Sequence, residues 1–90
     1  MRHALVVDDD SDAAETLAML IADEGCSVAC AGSLHDARRQ LAMHRPDVVF
    51  LDLHLPDGSG FKLFDEPLLA EDTEIVMALL CFAPNRRAHR

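Results

Sequence analysis

The fold is indicated by two runs of sequence, Leu5-Val6-Val7-Asp8-Asp9-Asp10 and Val48-Val49-Phe50-Leu51-Asp52. Each run is short, apolar and rich in β-branched residues, and each ends at acidic residues, which is typical of buried strands in a parallel sheet. The carboxyl ends of such strands form the edge where open α/β sheets bind their ligands. We therefore expect Asp8, Asp9 and Asp52 to lie together at that edge.

Three carboxylates at one edge repel each other and do not all stay ionised without a cation between them. Oxygen-only ligands favour Mg²⁺ among the common metal ions. Aspartate is also an ordinary turn residue, so one strand that ends in an acidic residue carries little information. Two such strands, the second followed by LHLPDGSG at residues 53–60, favour a metal site.

The hydrophobic pattern predicts an orderly alternation of strands and helices. The strands are expected at residues 3–7, 27–31, 48–52 and 74–78, and the helices at about 12–24, 33–44 and 59–70. Asp12 and Glu15 have capping-box spacing in the first helix, Gly25 ends that helix, and Ser33 opens the second. Pro67 falls inside the third helix and is expected to shorten or kink it. This alternation predicts a parallel sheet with helices on both faces.

The chain resembles the receiver domains of two-component response regulators in three stretches. They are LVVDDD at residues 5–10, PDVVFLDLHLPDGSGF at 46–61 and TEIVM at 73–77. The resemblance covers about residues 3–77 and implies a flavodoxin-like (CheY-like), doubly wound α/β fold with strand order 2-1-3-4-5. Because the sequence supplies strands 1–4 only, we expect an incomplete sheet.

The resemblance also implies the roles of the acidic residues. Asp52 would be the phosphoryl acceptor, and Mg²⁺ would be the cofactor. Asp9 and Asp52 would bind the metal directly, Asp8 would hold it through water, and the backbone carbonyl of His54 would complete its shell. The glycines of the LPDGSG loop would shape the chain that leads into the third helix. The partner would be a sensor histidine kinase or phosphotransfer protein, and the domain would be a phosphoacceptor and not an enzyme.

The chain departs from the receiver pattern towards its carboxyl terminus. A receiver has a Ser or Thr after its fourth strand and a Lys after its fifth, but here no hydroxyl residue follows Thr73 and the single lysine is Lys62. Residues 1–77 carry 5 basic and 16 acidic residues, whereas residues 78–90 carry 3 basic and no acidic ones. We therefore expect a partial receiver domain at 1–77 and a divergent basic tail at 78–90. A truncation, a natural short form and a frame change would each give this pattern.

Two other functions remain open at this point. The chain could be a degenerate receiver that acts as a binding or dimerisation module without a working phospho-switch. It could also be a fragment of a haloacid-dehalogenase-like phosphatase, which uses a strand-end aspartate as nucleophile. That family has a second aspartate two residues on, where this chain has His54.

Composition bears on partners and compartment. The net charge of −8 argues against direct binding to nucleic acid. No apolar stretch approaches the roughly 20 residues of a membrane span, and the absence of a signal-peptide core favours the cytoplasm. Cys26, Cys30 and Cys81 lack CxxC spacing and are expected to be small buried hydrophobes. The uncharged run at residues 75–82 and the edge of the fourth strand predict a homo-oligomer.

Overall fold

The computed structural model describes residues 2–69 and 72–77 of the 90-residue chain. Within these ranges the elements are β1 (His3–Val7), α1 (Ser11–Asp23), β2 (Ser27–Ala31), α2 (Leu34–Met43), β3 (Val48–Leu51), β4 (His54–Leu55), β5 (Gly58–Ser59), a 3₁₀ helix (Gly60–Asp65) and β6 (Glu74–Met77). β4 and β5 form a separate two-stranded hairpin, so β6 is the fourth strand of the main sheet.

The main sheet has the strand order β2-β1-β3-β6, and all its neighbouring strands are parallel. Val7, the last residue of β1, pairs with Ala31 on one side and with Leu51 on the other. All five residues of β1 are buried, as expected for a central strand that is covered on both faces. Within the described residues the predicted doubly wound parallel sheet, with strands 1–4 of the receiver order, is therefore confirmed, and β1 and β3 lie side by side.

The helices cover the two faces of the sheet separately. α1 packs on β1 and β2 and buries Ala14. The larger core lies on the opposite face, where apolar residues of β1, β3 and α2 meet the hairpin and the 3₁₀ helix. Its members are Leu5, Val7, Ala31, Leu34, Ala37, Leu41, Val49, Leu51, Leu55 and Leu63. Residues i and i+2 of β1 and β3 recur in this set because alternate side chains of a strand point to one face.

The helix boundaries confirm one predicted cap and correct another. α1 begins at Ser11 with Asp10 as its N-cap, because an oxygen of Asp10 accepts hydrogen bonds from the amides of Asp12 and Ala13, both at 3.1 Å. The capping box expected from Asp12 is therefore wrong, since that residue already lies inside the helix. Gly25 follows the helix with φ +89°, as a helix stop requires. Ser33 caps α2, as predicted.

The third helix differs most from its prediction. Of the predicted helix over 59–70, Ser59 is the last residue of β5, Gly60–Asp65 form a short 3₁₀ helix, and residue 70 lies outside the described residues. Glu66 has extended backbone angles, φ −75° and ψ 120°. Pro67 explains this conformation, because the proline ring disfavours helical angles in the residue before it. Its effect is therefore to end the helix, and residues 67–69 lie outside it.

Smaller differences concern strand ends and cysteines. β3 ends at Leu51, one residue before the predicted end, and β6 covers Glu74–Met77. Cys26 is half-buried and Cys30 is exposed, so the expectation of buried cysteines is wrong for Cys30. Three other predictions lie outside the described residues. They concern Cys81, residue 78 as the end of the fourth strand, and the tail at 78–90.

Candidate metal centre

The carboxyl ends of β1 and β3 place three aspartates together. The amide of Asp8 donates to the carbonyl of Ala31 at 3.0 Å, and the amide of Asp52 donates to the carbonyl of Val7 at 2.9 Å. Because these bonds continue the sheet pattern one residue past each strand, the aspartate backbones are fixed at the sheet edge. One carboxylate oxygen from each of Asp8, Asp9 and Asp52 lies within 4.8 Å of the others. The predicted convergence of these residues is therefore observed.

Burial and local hydrogen bonds orient the three carboxylates. Asp8 is 8% and Asp52 is 4% exposed, whereas Asp9 is exposed. Asp8 Oδ1 accepts a hydrogen bond from the amide of Asp10 at 3.0 Å, and Asp52 Oδ1 accepts one from the amide of His54 at 3.2 Å. A pocket between α1 and the end of β2 opens onto Asp8 and Asp9. The site is thus held rigidly by the sheet and open to solvent on one side.

The donor set fits a hard divalent cation. All three side chains offer carboxylate oxygens, which Mg²⁺ and Ca²⁺ prefer over softer ligands. Three negative charges within 4.8 Å repel one another unless a cation or protons offset them. An ion between the carboxylates would remove that repulsion, so this arrangement favours a bound divalent cation.

Gly60 allows the chain after the site to pass close to Asp52. A Cβ on Gly60 would clash with the backbone carbonyl oxygen of Asp52 and would stand 3.1 Å from Cα of Leu53. The amide of Gly60 also donates to the carbonyl of Leu53 at 2.8 Å. A larger residue at position 60 would therefore displace the backbone that carries Asp52. Gly58, with φ +142°, provides the left-handed conformation at the hairpin turn.

The other predicted site residues lie around the hairpin. The side chain of His54 is exposed, and its backbone amide is the one that donates to Asp52. Lys62 lies in the 3₁₀ helix, where its Nζ would be 3.2 Å from a Cβ placed on Gly58. Leu34 of α2 approaches the same position on Gly58, so the lysine lies on the side of the hairpin that faces α2.

Asp57 is a residue of this region that the sequence patterns did not identify. Its two carboxylate oxygens accept hydrogen bonds from the amides of Leu34 at 2.8 Å and His35 at 2.9 Å, at the start of α2. These bonds lower the pKa of the Asp57 carboxyl group. The local sequence Pro56-Asp57-Gly58 indicates only a turn. Nothing local to that turn indicates that its aspartate binds a helix start more than twenty residues earlier.

In the ranges that the structure describes, every helix is too short or too polar to span a lipid bilayer.

Residues 4–81 match the response regulator receiver domain family. The chain belongs to this family. Receiver domains are signalling modules of two-component systems and are not enzymes in the usual sense. Because the match includes both strands that end in aspartate, the family membership decides against the phosphatase alternative.

Curated relatives and solved structures agree with this family. The sensory transduction protein LytT of Enterococcus faecalis is 41% identical over 66 residues, which are 71% of this chain and 27% of that protein. The DNA-binding response regulator MtrA of Mycolicibacterium paratuberculosis is 43% identical over 62 residues, 69% of this chain and 28% of that protein. The chain therefore spans little more than a quarter of the length of these two relatives.

Two solved structures have the same fold. One is a response regulator protein from Burkholderia pseudomallei with a phosphorylated aspartic acid, a calcium ion and citrate; it is 31% identical with a TM-score of 0.76, over 83% of this chain and 45% of that one. The other is a response regulator from Chloroflexus aurantiacus, also 31% identical with a TM-score of 0.75, over 84% of this chain and 65% of that one. The CheY-like receiver fold is therefore confirmed.

Proposed function

We propose that this chain is the phosphoacceptor module of a two-component phosphorelay. Asp52 would accept a phosphoryl group from a phosphohistidine on a sensor kinase or a phosphotransfer protein. The observation that carries the proposal is the position of Asp52, buried at the end of a central strand with oxygens of Asp8 and Asp9 nearby. The phosphorylated aspartic acid and calcium ion of the Burkholderia pseudomallei relative support it.

The metal site would use the residues already placed at this edge. We assign Asp9 and Asp52 as direct ligands, Asp8 as a ligand through water and the backbone carbonyl of His54 as the fourth protein group. Mg²⁺ is the proposed cofactor, because small oxygen-ligated sites that act on phosphoryl groups commonly use it. When bound, Mg²⁺ supplies positive charge that offsets the charge on the carboxylates and on the phosphoryl oxygens.

The transfer itself needs one nucleophile from this chain. A carboxylate oxygen of Asp52 forms a bond to phosphorus while the bond from phosphorus to the histidine nitrogen breaks. The imidazole keeps the electron pair of that bond and takes a proton from solvent. The amide of His54, which donates to Asp52 Oδ1, holds the carboxylate in a fixed orientation during this step. The burial of Asp52 limits the access of water to the resulting acyl phosphate.

A second function is a receiver that binds or dimerises without a working phospho-switch. The observation in its favour is the position of Lys62, which lies against Gly58 on the α2 side of the hairpin. With no other lysine in the chain, a charge-assisted contact from lysine to the phosphoryl group is missing unless Lys62 moves. Failure of Asp52 to become phosphorylated would favour this second function.

Several broader assignments accompany the proposal. Residues 1–77 would form the receiver part and residues 78–90 a divergent tail. The module would act in the cytoplasm, without direct contact to nucleic acid, since acidic residues outnumber Lys and Arg by 16 to 8. It would associate with a second copy through the β6 edge of the sheet.

The proposal is tested by the site of labelling. The 90-residue chain is incubated with acetyl phosphate and Mg²⁺, and its intact mass is measured. We expect one phosphoryl group per chain at most, lost on treatment with hydroxylamine, which cleaves acyl phosphates. Asp52→Asn should abolish the label, and Asp65→Asn, which neutralises an exposed aspartate of the 3₁₀ helix, should retain it. Labelling that persists in Asp52→Asn would contradict the assignment.

A further inference from the structure

Besides the apolar contacts of Leu55 in the core, one side chain of the hairpin after the acidic site forms hydrogen bonds to α2. Asp57 lies in the turn between β4 and β5, and its carboxylate accepts hydrogen bonds from the amides of Leu34 and His35 at 2.8 and 2.9 Å. These are the first two residues of α2, whose amides have no partner within the helix. Asp57 therefore joins two parts of the fold that are distant in sequence.

The start of α2 is also capped by Ser33, and a comparison of Ser33 with Asp57 distinguishes capping of the helix from restraint of the hairpin. Ser33 Oγ accepts a hydrogen bond from the amide of Asp36 at 3.1 Å. Ser33 belongs to the chain just before the helix and makes none of the hairpin's hydrogen bonds among the described residues. Both residues stabilise the helix start, but only Asp57 also restrains the hairpin.

The hairpin needs such a restraint because it is very short. β4 and β5 share two residue pairs, His54 with Ser59 and Leu55 with Gly58, and short isolated hairpins are marginally stable in water. α2 offers a firm anchor, since its residues Leu34, Ala37 and Leu41 are buried in the core. The attachment to α2 thus fixes the turn end of the hairpin relative to the sheet.

The other end of the same hairpin reaches the acidic site. The amide of His54 donates to Asp52 Oδ1 at 3.2 Å, and the amide of Gly60 donates to the carbonyl of Leu53 at 2.8 Å. A shift of the hairpin would therefore change the orientation of the Asp52 carboxylate and of the His54 backbone. Only two residues, Leu55 and Pro56, lie between His54 and Asp57, so little chain is available to absorb such a shift.

We propose that Asp57 is a positioning residue for the acidic site: by tying the hairpin to the start of α2, it fixes the His54 backbone and the carboxylate of Asp52. The part of this inference that concerns metal affinity rests on the proposed function, in which Asp52 and His54 supply ligands. The hydrogen bonds from the amides of Leu34 and His35 lower the pKa of Asp57 below its ordinary value, so the carboxylate is ionised at neutral pH and accepts both of them.

The first test needs no metal. Hydrogen exchange of the His54 amide is measured by NMR in the parent chain and in Asp57→Ala, Asp57→Asn and Ser33→Ala. We expect faster exchange at His54 in Asp57→Ala and an intermediate rate in Asp57→Asn, because the carboxamide oxygen keeps one of the two bonds. Ser33→Ala loosens the helix start alone and should leave the His54 rate unchanged. Equal rates in the parent and Asp57→Ala, or equal increases in Asp57→Ala and Ser33→Ala, would overturn the proposal.

The second test is the affinity for Mg²⁺ alone, measured by calorimetry on the same four chains. Residues that orient metal ligands change metal affinity by about tenfold or more when removed, and we expect a loss of this size in Asp57→Ala. Ser33→Ala should bind as the parent does. A parent chain without Mg²⁺ affinity would overturn the metal assignment in the proposed function, and the exchange rates would then decide on Asp57 independently.

Discussion

The ring of His3 lies flat against the ring of His44, with centroids 3.8 Å apart and planes 3° from parallel. His3 is 8% exposed at the start of β1, where its Nδ1 lies 2.8 Å from Ser27 Oγ. Burial and the neighbouring His44 lower the pKa of His3, while Asp47 and Ser27 act in the opposite direction. The stack is at the edge of the sheet opposite the acidic site.

This stack predicts a loss of stability in mild acid. Because the pKa of His3 is lower in the folded chain, the unfolded chain binds more protons between the two pKa values. The contribution of His3 to the free energy of unfolding is therefore complete above its pKa in the unfolded chain, about 6.5. This contribution is lost as the pH falls from that value towards the lower pKa of His3 in the folded chain. In His44→Asn the pKa of His3 should rise and this loss should shrink, as measured by histidine titration with NMR and by urea unfolding between about pH 5.5 and 7.5. Identical pH profiles for both chains would contradict the interpretation.

Replacement of Asp9 should abolish metal binding. Asp9 is the exposed member of the acidic cluster, and its replacement by Ala removes one of the two proposed direct ligands. We expect the increase in melting temperature on addition of Mg²⁺ to disappear in Asp9→Ala. Asp23→Ala, which removes an exposed charge at the end of α1, serves as the control. If Asp9→Ala and the parent respond equally to Mg²⁺, the acidic site is wrongly assigned.

Phosphorylation of Asp52 should be slow or incomplete. The contact from a lysine to the phosphoryl group is missing in this 90-residue chain unless Lys62 moves. The loss of such a charge-assisted hydrogen bond costs about 1.5–3 kcal/mol, which corresponds to roughly ten- to a hundredfold in rate or population. A time course of intact mass after addition of acetyl phosphate, with a complete receiver domain in parallel, measures this deficit. Rapid stoichiometric labelling of this chain would show that the missing lysine contact is not needed.

Substitution of Gly60 should disturb the site through the backbone. A Cβ at this position would meet the carbonyl oxygen of Asp52, so Gly60→Ala forces the two segments apart. Overpacking of this kind costs about 1–3 kcal/mol of unfolding free energy. Urea unfolding tests the cost, and weaker Mg²⁺ binding by the folded fraction tests the displacement of Asp52. Gly32→Ala, whose Cβ would meet nothing within 4 Å, is the matched control.

Association of the chain should depend on β6. Among the described residues β6 has one neighbour, β3, and its Val76 is 41% exposed. An open strand edge pairs readily with another chain, so we expect light scattering to show dimers or larger species that dissociate on dilution. Val76→Lys should shift the chain towards monomer. Met19→Lys, at a 70% exposed site on α1, should not. A parent chain that stays monomeric across the dilution series would contradict the predicted edge pairing.

The sheet and its acidic edge could be predicted because their signals are local. Runs of apolar, β-branched residues that end in aspartate indicate β1 and β3. The parallel arrangement of these strands is then enough to predict that Asp8 and Asp52 lie together. The same holds for the cap of α2, where Ser33 lies next to the helix that it caps.

The features that could not be predicted depend on competition between neighbouring residues or on contacts between residues that are distant in sequence. Three successive aspartates precede α1, and the geometry of the chain selects Asp10 as the cap. The apolar pattern after Ser59 favoured a long helix, but the restriction that Pro67 places on Glu66 ended it early. The bonds of Asp57 to α2 join residues 22 and 23 positions apart, a pairing that only the folded chain reveals.

The pairing of β1 with β3 has a consequence for how the chain acquires its site. β2 and the two helices lie between these strands in sequence, so the aspartates meet only after that whole segment has folded back as a closed loop. Closing a long loop costs chain entropy before any distant contact repays it. A nascent chain can therefore form the β1–α1–β2 unit early, yet the proposed cation affinity would arise only when β3 has docked. Metal binding would then report completed assembly of the domain, and substitutions that weaken β3 would impair it before the rest of the fold is lost.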